Sequence, residues 1–153
     1  MFLENLVHAI TKAKIKYCLV GGYAVAMHGA VRGTVNIDLV ININETSLSK
    51  MQTALQSLGL LNHLPITPKD IATYRDEYIK NKNLIAWNFT NPNNPGEAVD
   101  IIIPYDFDDM ETVTKMVGRL SVTVVSIKDL IRMKKRAGRQ QDLIDIKALE
   151  KLL

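Results

Sequence analysis

The sequence predicts a small α+β domain, in which a mixed β-sheet of four to five strands carries helices mainly on one face. Five short apolar segments have the length and composition of strands, at residues 17–20, 36–41, 84–90, 98–103 and 120–125. Between them, apolar residues recur at helical spacing, most clearly at 2–14, 48–58 and 127–137. With 153 residues, the chain most simply forms one domain, residues 1–153, with a sizeable core.

Composition excludes several classes of protein. Hydrophobic residues make up 47% of the chain, which is typical of a globular protein and not of a disordered one. No apolar run approaches the roughly 18–20 residues that span a bilayer, and we expect neither a membrane association nor a signal peptide. The single Cys18 predicts a buried thiol in a reducing compartment, so a cytoplasmic location is expected. A net charge of +3 is too small to indicate nucleic-acid binding by itself.

The segment 16–43 holds the main candidate site. Its first strand runs directly into Gly21 and Gly22, and a short helix over 23–28 follows and ends at Gly29. A glycine pair between a strand and a helix N-terminus lets backbone N–H groups approach an anion. On the next strand, Asn36 and Asp38 are two residues apart, so their side chains leave the same face. Oxygen ligands beside a phosphate cradle are what a magnesium–nucleotide site needs.

The middle of the chain predicts two helices and a hairpin. Ser47 or Thr46 can cap the first helix, which stops at Gly59. Thr67 and Pro68 start the second, a polar surface helix to about residue 79, in which Tyr74 and Tyr78 share a face for packing. The turn-forming residues 91–96 then join the strands 84–90 and 98–103.

Asp100 interrupts the second hairpin strand. A carboxylate among buried β-branched residues is costly unless it is paired or bound to metal, so an ion pair, a strand-edge charge and a metal site are all open. The acidic segment 105–109 fits a solvated helix start better than a metal site.

The last part of the chain contains a lysine on an apolar helix face. Ser126 caps this helix, with Asp129 three residues on, and Gly138 ends it. Lys134 falls in the middle of the apolar stripe, and an inward-facing ammonium needs a negative partner. That partner is either Asp142 or Asp145 on the last helix, or the phosphates of a bound nucleotide.

Gly21-Gly22, followed by Arg32-x-Thr34-x-Asn36-Ile37-Asp38, resembles the signature of the DNA-polymerase-beta-like nucleotidyltransferase superfamily, in particular its small bacterial members. The residues from Met133 to Ile146 resemble the tail of these proteins. The resemblance implies a nucleotidyltransferase fold and Mg²⁺ held by Asp38, Asp100 and Asn36. It also implies that Asp100 accepts the proton of the attacking hydroxyl. Gly21, Gly22 and Lys134 would contact the nucleotide, and Arg32 would either do so or form a salt bridge.

The sequence departs from this signature at Asn36, where the family has an aspartate. Asparagine keeps a carbonyl oxygen but loses the charge that hard divalent cations prefer. The chain is therefore a weakened or altered enzyme, a nucleotide-binding relative without chemistry, or a protein with an engineered substitution.

Three functions remain open at this point. The first is a metal-dependent nucleotidyltransferase that moves a nucleoside monophosphate from an NTP such as ATP to a hydroxyl of a small molecule, tRNA or protein. The second is a catalytically silent domain that acts with a protein partner, as in a toxin–antitoxin pair, or as a homodimer. The third is a nucleic-acid-binding module. His28 either lines the pocket or has a packing or surface role.

Overall fold

The first strand and the second helix follow each other without a loop, and this junction lies in the centre of the molecule. The computed structural model describes residues 1–153. Its helices are α1 (Phe2–Lys12), α2 (Gly21–Met27), α3 (Glu45–Ser57), α4 (Pro68–Asn81), α5 (Ile127–Ala137) and α6 (Gln140–Glu150). Its strands are β1 (Tyr17–Val20), β2 (Ile37–Ile41), β3 (Leu61–Asn62), β4 (Ala86–Asn91), β5 (Asn94–Ile102), β6 (Thr112–Val117) and β7 (Leu120–Val125). A 3₁₀ turn lies at Phe107–Asp109.

All strands form one mixed sheet. Its order is β3-β4-β5-β2-β1-β7-β6, with β2 parallel to β5 and β1 parallel to β7, and with antiparallel pairing elsewhere. The α+β class and the mixed sheet are thereby confirmed. The predicted number of four to five strands was wrong, because the sheet has 7. The additional strands, β3 and β6, lie at its two edges.

The two faces of the central strands differ in polarity. Cross-strand register places Leu39 beside Ile101, and Ile101 beside Trp87, on one face, and all three side chains are buried. Because side chains alternate along a strand, Asp38 and Asp100 leave the opposite face, where the register also pairs them. The sheet therefore carries an apolar layer on one side and polar groups at the centre of the other.

One hydrophobic cluster of 32 buried residues extends through the molecule. Trp87 and Phe89 form an edge-to-face pair within it, with ring centroids 4.6 Å apart. None of the helices has the length and apolar character needed to cross a membrane.

Most predicted helix ends are confirmed. Gly29, Gly59 and Gly138 have positive φ angles where helices end, at +103°, +85° and +65°. Ser126 accepts a hydrogen bond from the backbone N–H of Asp129, and Thr67 forms a capping box with Asp70.

Two helix starts differ from the prediction. Asn44, rather than Ser47 or Thr46, caps α3, because its side-chain oxygen accepts a hydrogen bond from the N–H of Ser47 at 2.8 Å. The helix α2 begins at Gly21 instead of residue 23, so both glycines belong to its first turn.

The acidic segment around Phe107–Asp109 forms the 3₁₀ turn, which Asp106 precedes. Asp106 accepts hydrogen bonds from the N–H of Ile43 and, at 2.8 Å, from Arg75. Tyr74 and Tyr78 pack with their ring centroids 6.3 Å apart, as the predicted shared face requires.

Candidate active site

A cavity of about 650 Å³ opens above the polar face of the sheet. On one side it is bounded by β2, β5 and the start of α2, and on the other by residues of α5 and the α5–α6 connection. Every candidate site residue from the sequence lines it: Gly21, Gly22, Arg32, Asn36, Asp38, Asp100 and Lys134. The structure thus brings these seven residues together, although up to 113 positions separate them in the chain.

Asp38 and Asp100 form the centre of the cavity floor. They are register partners on adjacent parallel strands, whose spacing is about 4.8 Å. The pKa of Asp38 is raised from 3.8 to about 7. Burial is the largest cause, followed by the charge of Asp100 and a hydrogen bond with it. At neutral pH Asp38 is therefore about half protonated, and a cation placed between the carboxyl groups would compete with that proton.

Two asparagines hold Asp100. The Nδ2 of Asn36 donates to one carboxylate oxygen at 3.1 Å, and the Nδ2 of Asn88 donates to the other at 2.7 Å. Asn88 is a site residue that sequence reasoning missed. Asn88 is the cross-strand partner of Asp100 in the β4–β5 hairpin. The sequence could have shown this only if the turn that sets the register of the hairpin had been known.

The glycine pair allows the backbone to lie against the floor. Gly21 has a φ angle of +64°, and a Cβ atom there would lie 2.0 Å from Oδ2 of Asp38. A Cβ atom on Gly22 would lie 2.8 Å from Oγ1 of Thr34. No side chain fits at either position without movement of its neighbours, so the backbone at the start of α2 lies directly against Asp38 and Thr34.

A largely buried ionic network forms another part of the cavity wall, and its Arg32 lies beside Gly22, since a Cβ atom there would be 3.4 Å from the Arg32 Cζ. Lys134 contacts Asp142 at 3.2 Å and Asp145 at 2.9 Å, which are the two carboxylate partners that the sequence offered. Arg32 pairs with Asp145 at 3.2 Å, and Arg139 pairs with Asp142 at 2.8 Å.

The network keeps its two aspartates ionised. Burial by itself would raise the pKa of Asp142 and of Asp145. Hydrogen bonds outweigh this effect of burial and hold both pKa values below the usual range. Asp142 accepts them from Arg139 and Lys134, and Asp145 accepts them from Lys134 and Gln141. The charge of Lys134 is thereby matched within the protein.

His28 and the buried Cys18 lie outside the cavity lining. His28 is engaged with the backbone oxygen of Val125 at 2.7 Å, which is the packing role. Burial, followed by the charge of Asp129, raises the pKa of the Cys18 thiol to about 12, so Cys18 stays protonated and is not a nucleophile.

The oxygen ligands available for a metal are the two carboxyl groups and the amide oxygen of Asn36. No group of three or more His, Cys, Asp or Glu side chains converges anywhere in the structure. Asn36 therefore stands where a third carboxylate would complete such a group.

No protein-family model matches the sequence, and no curated protein sequence matches it significantly. Solved structures do match. A nucleotidyltransferase-like antigen from Paracoccidioides brasiliensis superposes with a TM-score of 0.62 at 18% identity, over 99% of this chain and 75% of its own.

Two further solved structures superpose equally well. ANT(2″)-Ia, in complex with adenylyl-2″-tobramycin, gives a TM-score of 0.61 at 11% identity, over 98% of this chain and 90% of its own. The lincosamide antibiotic adenylyltransferase LnuA, with lincomycin bound, gives a TM-score of 0.60 at 14% identity, over 99% of this chain and 96% of its own. The chain has the nucleotidyltransferase fold. At these identities the likeness establishes the fold alone, so any activity must be argued from the residues that the nucleotidyltransferase fold presents here.

Proposed function

We propose that the protein is a nucleotidyltransferase, which moves a nucleoside monophosphate from an NTP to a hydroxyl group and releases pyrophosphate. The observation that carries this proposal is the pair Asp38–Asp100 directly beneath the glycine pair Gly21–Gly22, inside an open cavity. Negative groups and a bare backbone at one point suit a phosphate chain that a divalent cation bridges to carboxylates. The names of the adenylyltransferase neighbours make ATP the first nucleotide to test.

Several groups in and around the cavity have a role in this proposal. Gly21 and Gly22 let the phosphates approach the backbone, and Arg139, whose side chain is 76% exposed, offers a guanidinium at the rim. Asp100 accepts the proton of the acceptor hydroxyl as its oxygen bonds to the α-phosphorus and the bond to pyrophosphate breaks. Asn36 and Asn88 keep the carboxylate of Asp100 oriented toward that proton.

The carboxyl pair also fits a divalent cation such as Mg²⁺. Burial and the charge of Asp100 raise the pKa of Asp38, and a bound cation would relieve both effects. Asp38 and Asp100 would hold the ion, with the amide oxygen of Asn36 as a weaker neighbour. When bound, Mg²⁺ neutralises charge that develops on the phosphates.

A catalytically silent domain is the second candidate, and one observation favours it. Both carboxylate oxygens of Asp100 already accept hydrogen bonds from asparagine amides, and Asn36 supplies no third negative charge. In this alternative the cavity binds a nucleotide without transferring it, and the domain works through a protein partner.

A transfer assay separates the two candidates. Protein, Mg²⁺ and ATP labelled at the α-phosphate are incubated with a panel of hydroxyl compounds, and labelled product is counted for the unchanged chain, Asn36→Asp and Asp100→Asn. The enzyme reading expects product with the unchanged chain and none with Asp100→Asn. Product with Asn36→Asp alone supports the silent domain. A parallel titration with ATP measures binding, and failure of all three proteins to bind ATP contradicts both candidates.

A further inference from the structure

Beyond the carboxyl pair the cavity continues into an apolar end, whose residues have no role in the proposed phosphate and metal binding. Along β5, Ile102 follows Asp100 on the same face, and Ala86 of β4 is its register partner. The surrounding lining is formed by Ile79, Ile85, Pro104, Tyr105 and Met133. Ile85 is 50% exposed although it is a large apolar residue at this position.

The geometry of in-line transfer indicates which reactant lies at the apolar end of the cavity. The attacking oxygen and the leaving pyrophosphate lie on opposite sides of the α-phosphorus. With the phosphates at Gly21 and Gly22, the attacking hydroxyl comes from the side of Asp100 that faces away from the glycines. Its oxygen must lie within hydrogen-bond reach of Asp100, so the rest of the acceptor rests over Ile102 and Ala86.

The charges of the cavity restrict what this acceptor can be. Arg136 is the charged side chain at the apolar end, where its guanidinium lies 5.4 Å from the ring centroid of Tyr105 and forms no ion pair. The remaining carboxylate of the lining, Asp142, is already paired with Lys134 and Arg139. A cationic acceptor would thus find an unpaired positive charge and no free carboxylate outside the reacting centre.

We infer that the acceptor is a small hydroxyl compound with an apolar or aromatic body and a negatively charged group, and that the apolar end with Tyr105 and Arg136 binds it. This inference rests on the proposed function. The body packs on Ile102 and the Tyr105 ring, and the anionic group meets the guanidinium of Arg136. The reaction joins the acceptor oxygen to the α-phosphorus, breaks the bond to pyrophosphate and leaves the hydroxyl proton on Asp100.

Three probes of one shape and different charge test the inference. They are 4-hydroxyphenylacetate, the uncharged tyrosol and the cationic tyramine, and tobramycin serves as a polycation. Their binding is measured by NMR titration, with Mg²⁺ and α,β-methylene ATP in excess so that the phosphate region is filled. We expect 4-hydroxyphenylacetate to bind about tenfold more tightly than tyramine, tyrosol to fall between them, and tobramycin not to bind.

Variants show where the selectivity arises. Arg136→Gln should remove most of the difference between 4-hydroxyphenylacetate and tyrosol, whereas Arg119→Gln, which removes an exposed charge outside the cavity, should leave it unchanged. Ile102→Ala, which removes apolar surface without adding charge, should weaken all aromatic probes without changing the affinity for α,β-methylene ATP. Tighter binding of tyramine or tobramycin, or an unchanged ranking in Arg136→Gln, overturns the inference.

The nucleotide titration keeps this failure distinct from failure of the proposed function. If α,β-methylene ATP binds and the probes rank in another order, the assigned acceptor class is wrong and the nucleotidyltransferase proposal stands. If Ile102→Ala weakens binding of the nucleotide instead of the probes, the apolar end holds the nucleobase and the inference is overturned. If the nucleotide does not bind to the unchanged chain, the proposed function itself fails.

Discussion

At the scale of single residues, Gly21 is the position that least tolerates a side chain. Gly21→Ala should lower the free energy of unfolding by about 1–3 kcal/mol, because its φ angle of +64° strains an L residue and its Cβ would overlap Asp38. It should also weaken nucleotide binding at least about tenfold, since the methyl group occupies the closest approach to the carboxyl pair.

Urea unfolding and nucleotide titration measure both effects. Gly33→Ala is the matched control, because nothing lies within 4 Å of a Cβ atom there and its φ is not positive. Equal stability and affinity in the two variants would show that the backbone of Gly21 has no special role.

The raised pKa of Asp38 predicts a pH dependence of stability. The folded protein binds the Asp38 proton more tightly than the unfolded chain does. The free energy of unfolding should therefore fall as the pH rises from 3.8 to about 7, by on the order of 4 kcal/mol from this group. Asp38→Asn should remove this part of the slope, as measured by urea unfolding between pH 4 and pH 8. An unchanged slope in the variant would contradict the assignment.

Asn36 is where this chain departs from the signature it resembles. Asn36→Asp replaces an amide donor to Asp100 with a third carboxylate. Without metal it should destabilise the protein by about 1–3 kcal/mol at pH 8, and Mg²⁺ should restore most of that loss.

Asn93→Asp adds the same charge in the exposed hairpin turn and should show neither effect. Thermal unfolding with and without Mg²⁺ is the measurement. A destabilised Asn36→Asp protein that Mg²⁺ does not rescue would argue against a cation between these side chains.

At the scale of elements, the contact between α5 and α6 depends on Lys134. Lys134→Met should cost about 3 kcal/mol of unfolding free energy, because it leaves Asp142 and Asp145 buried with one arginine each. Lys135→Met, at the exposed neighbouring position, should cost less than about 0.5 kcal/mol. Similar unfolding curves for the two variants would mean that the network does not hold these helices together.

Helix ends that are set by their own residues could be predicted from the sequence, whereas edge strands that form only by pairing with a neighbour could not. Gly59, Thr67 and Ser126 mark helix ends through their own backbone or side-chain bonding, and the structure agrees with each. The residues of strand β6 are exposed or half-buried, and the strand forms by pairing with β7. The sequence therefore contains no apolar run that would predict it. The strand β3 is only two residues long and depends on β4 in the same way.

At the scale of the whole molecule, the sheet order explains why distant residues meet. The strand β2 pairs with β1 on one side and with β5 on the other, so the Gly21 turn and Asp100 flank Asp38. Spacing alone predicts that Asn36 and Asp38 share a face, whereas the nearness of Asp100 required the resemblance to a known signature. The hydrogen bond from Asn88 required the structure, since nothing in the sequence fixes which residue of β4 faces Asp100.

The central claim is that a nucleotide lies with its phosphates against Gly21 and Gly22 and its α-phosphorus above Asp38 and Asp100. A crystal structure of the unchanged chain with α,β-methylene ATP and Mg²⁺ tests it most directly. The account predicts phosphate density at the glycine pair and a cation that both carboxylates contact. A nucleotide bound elsewhere, or a cavity that remains empty at millimolar nucleotide, would contradict it.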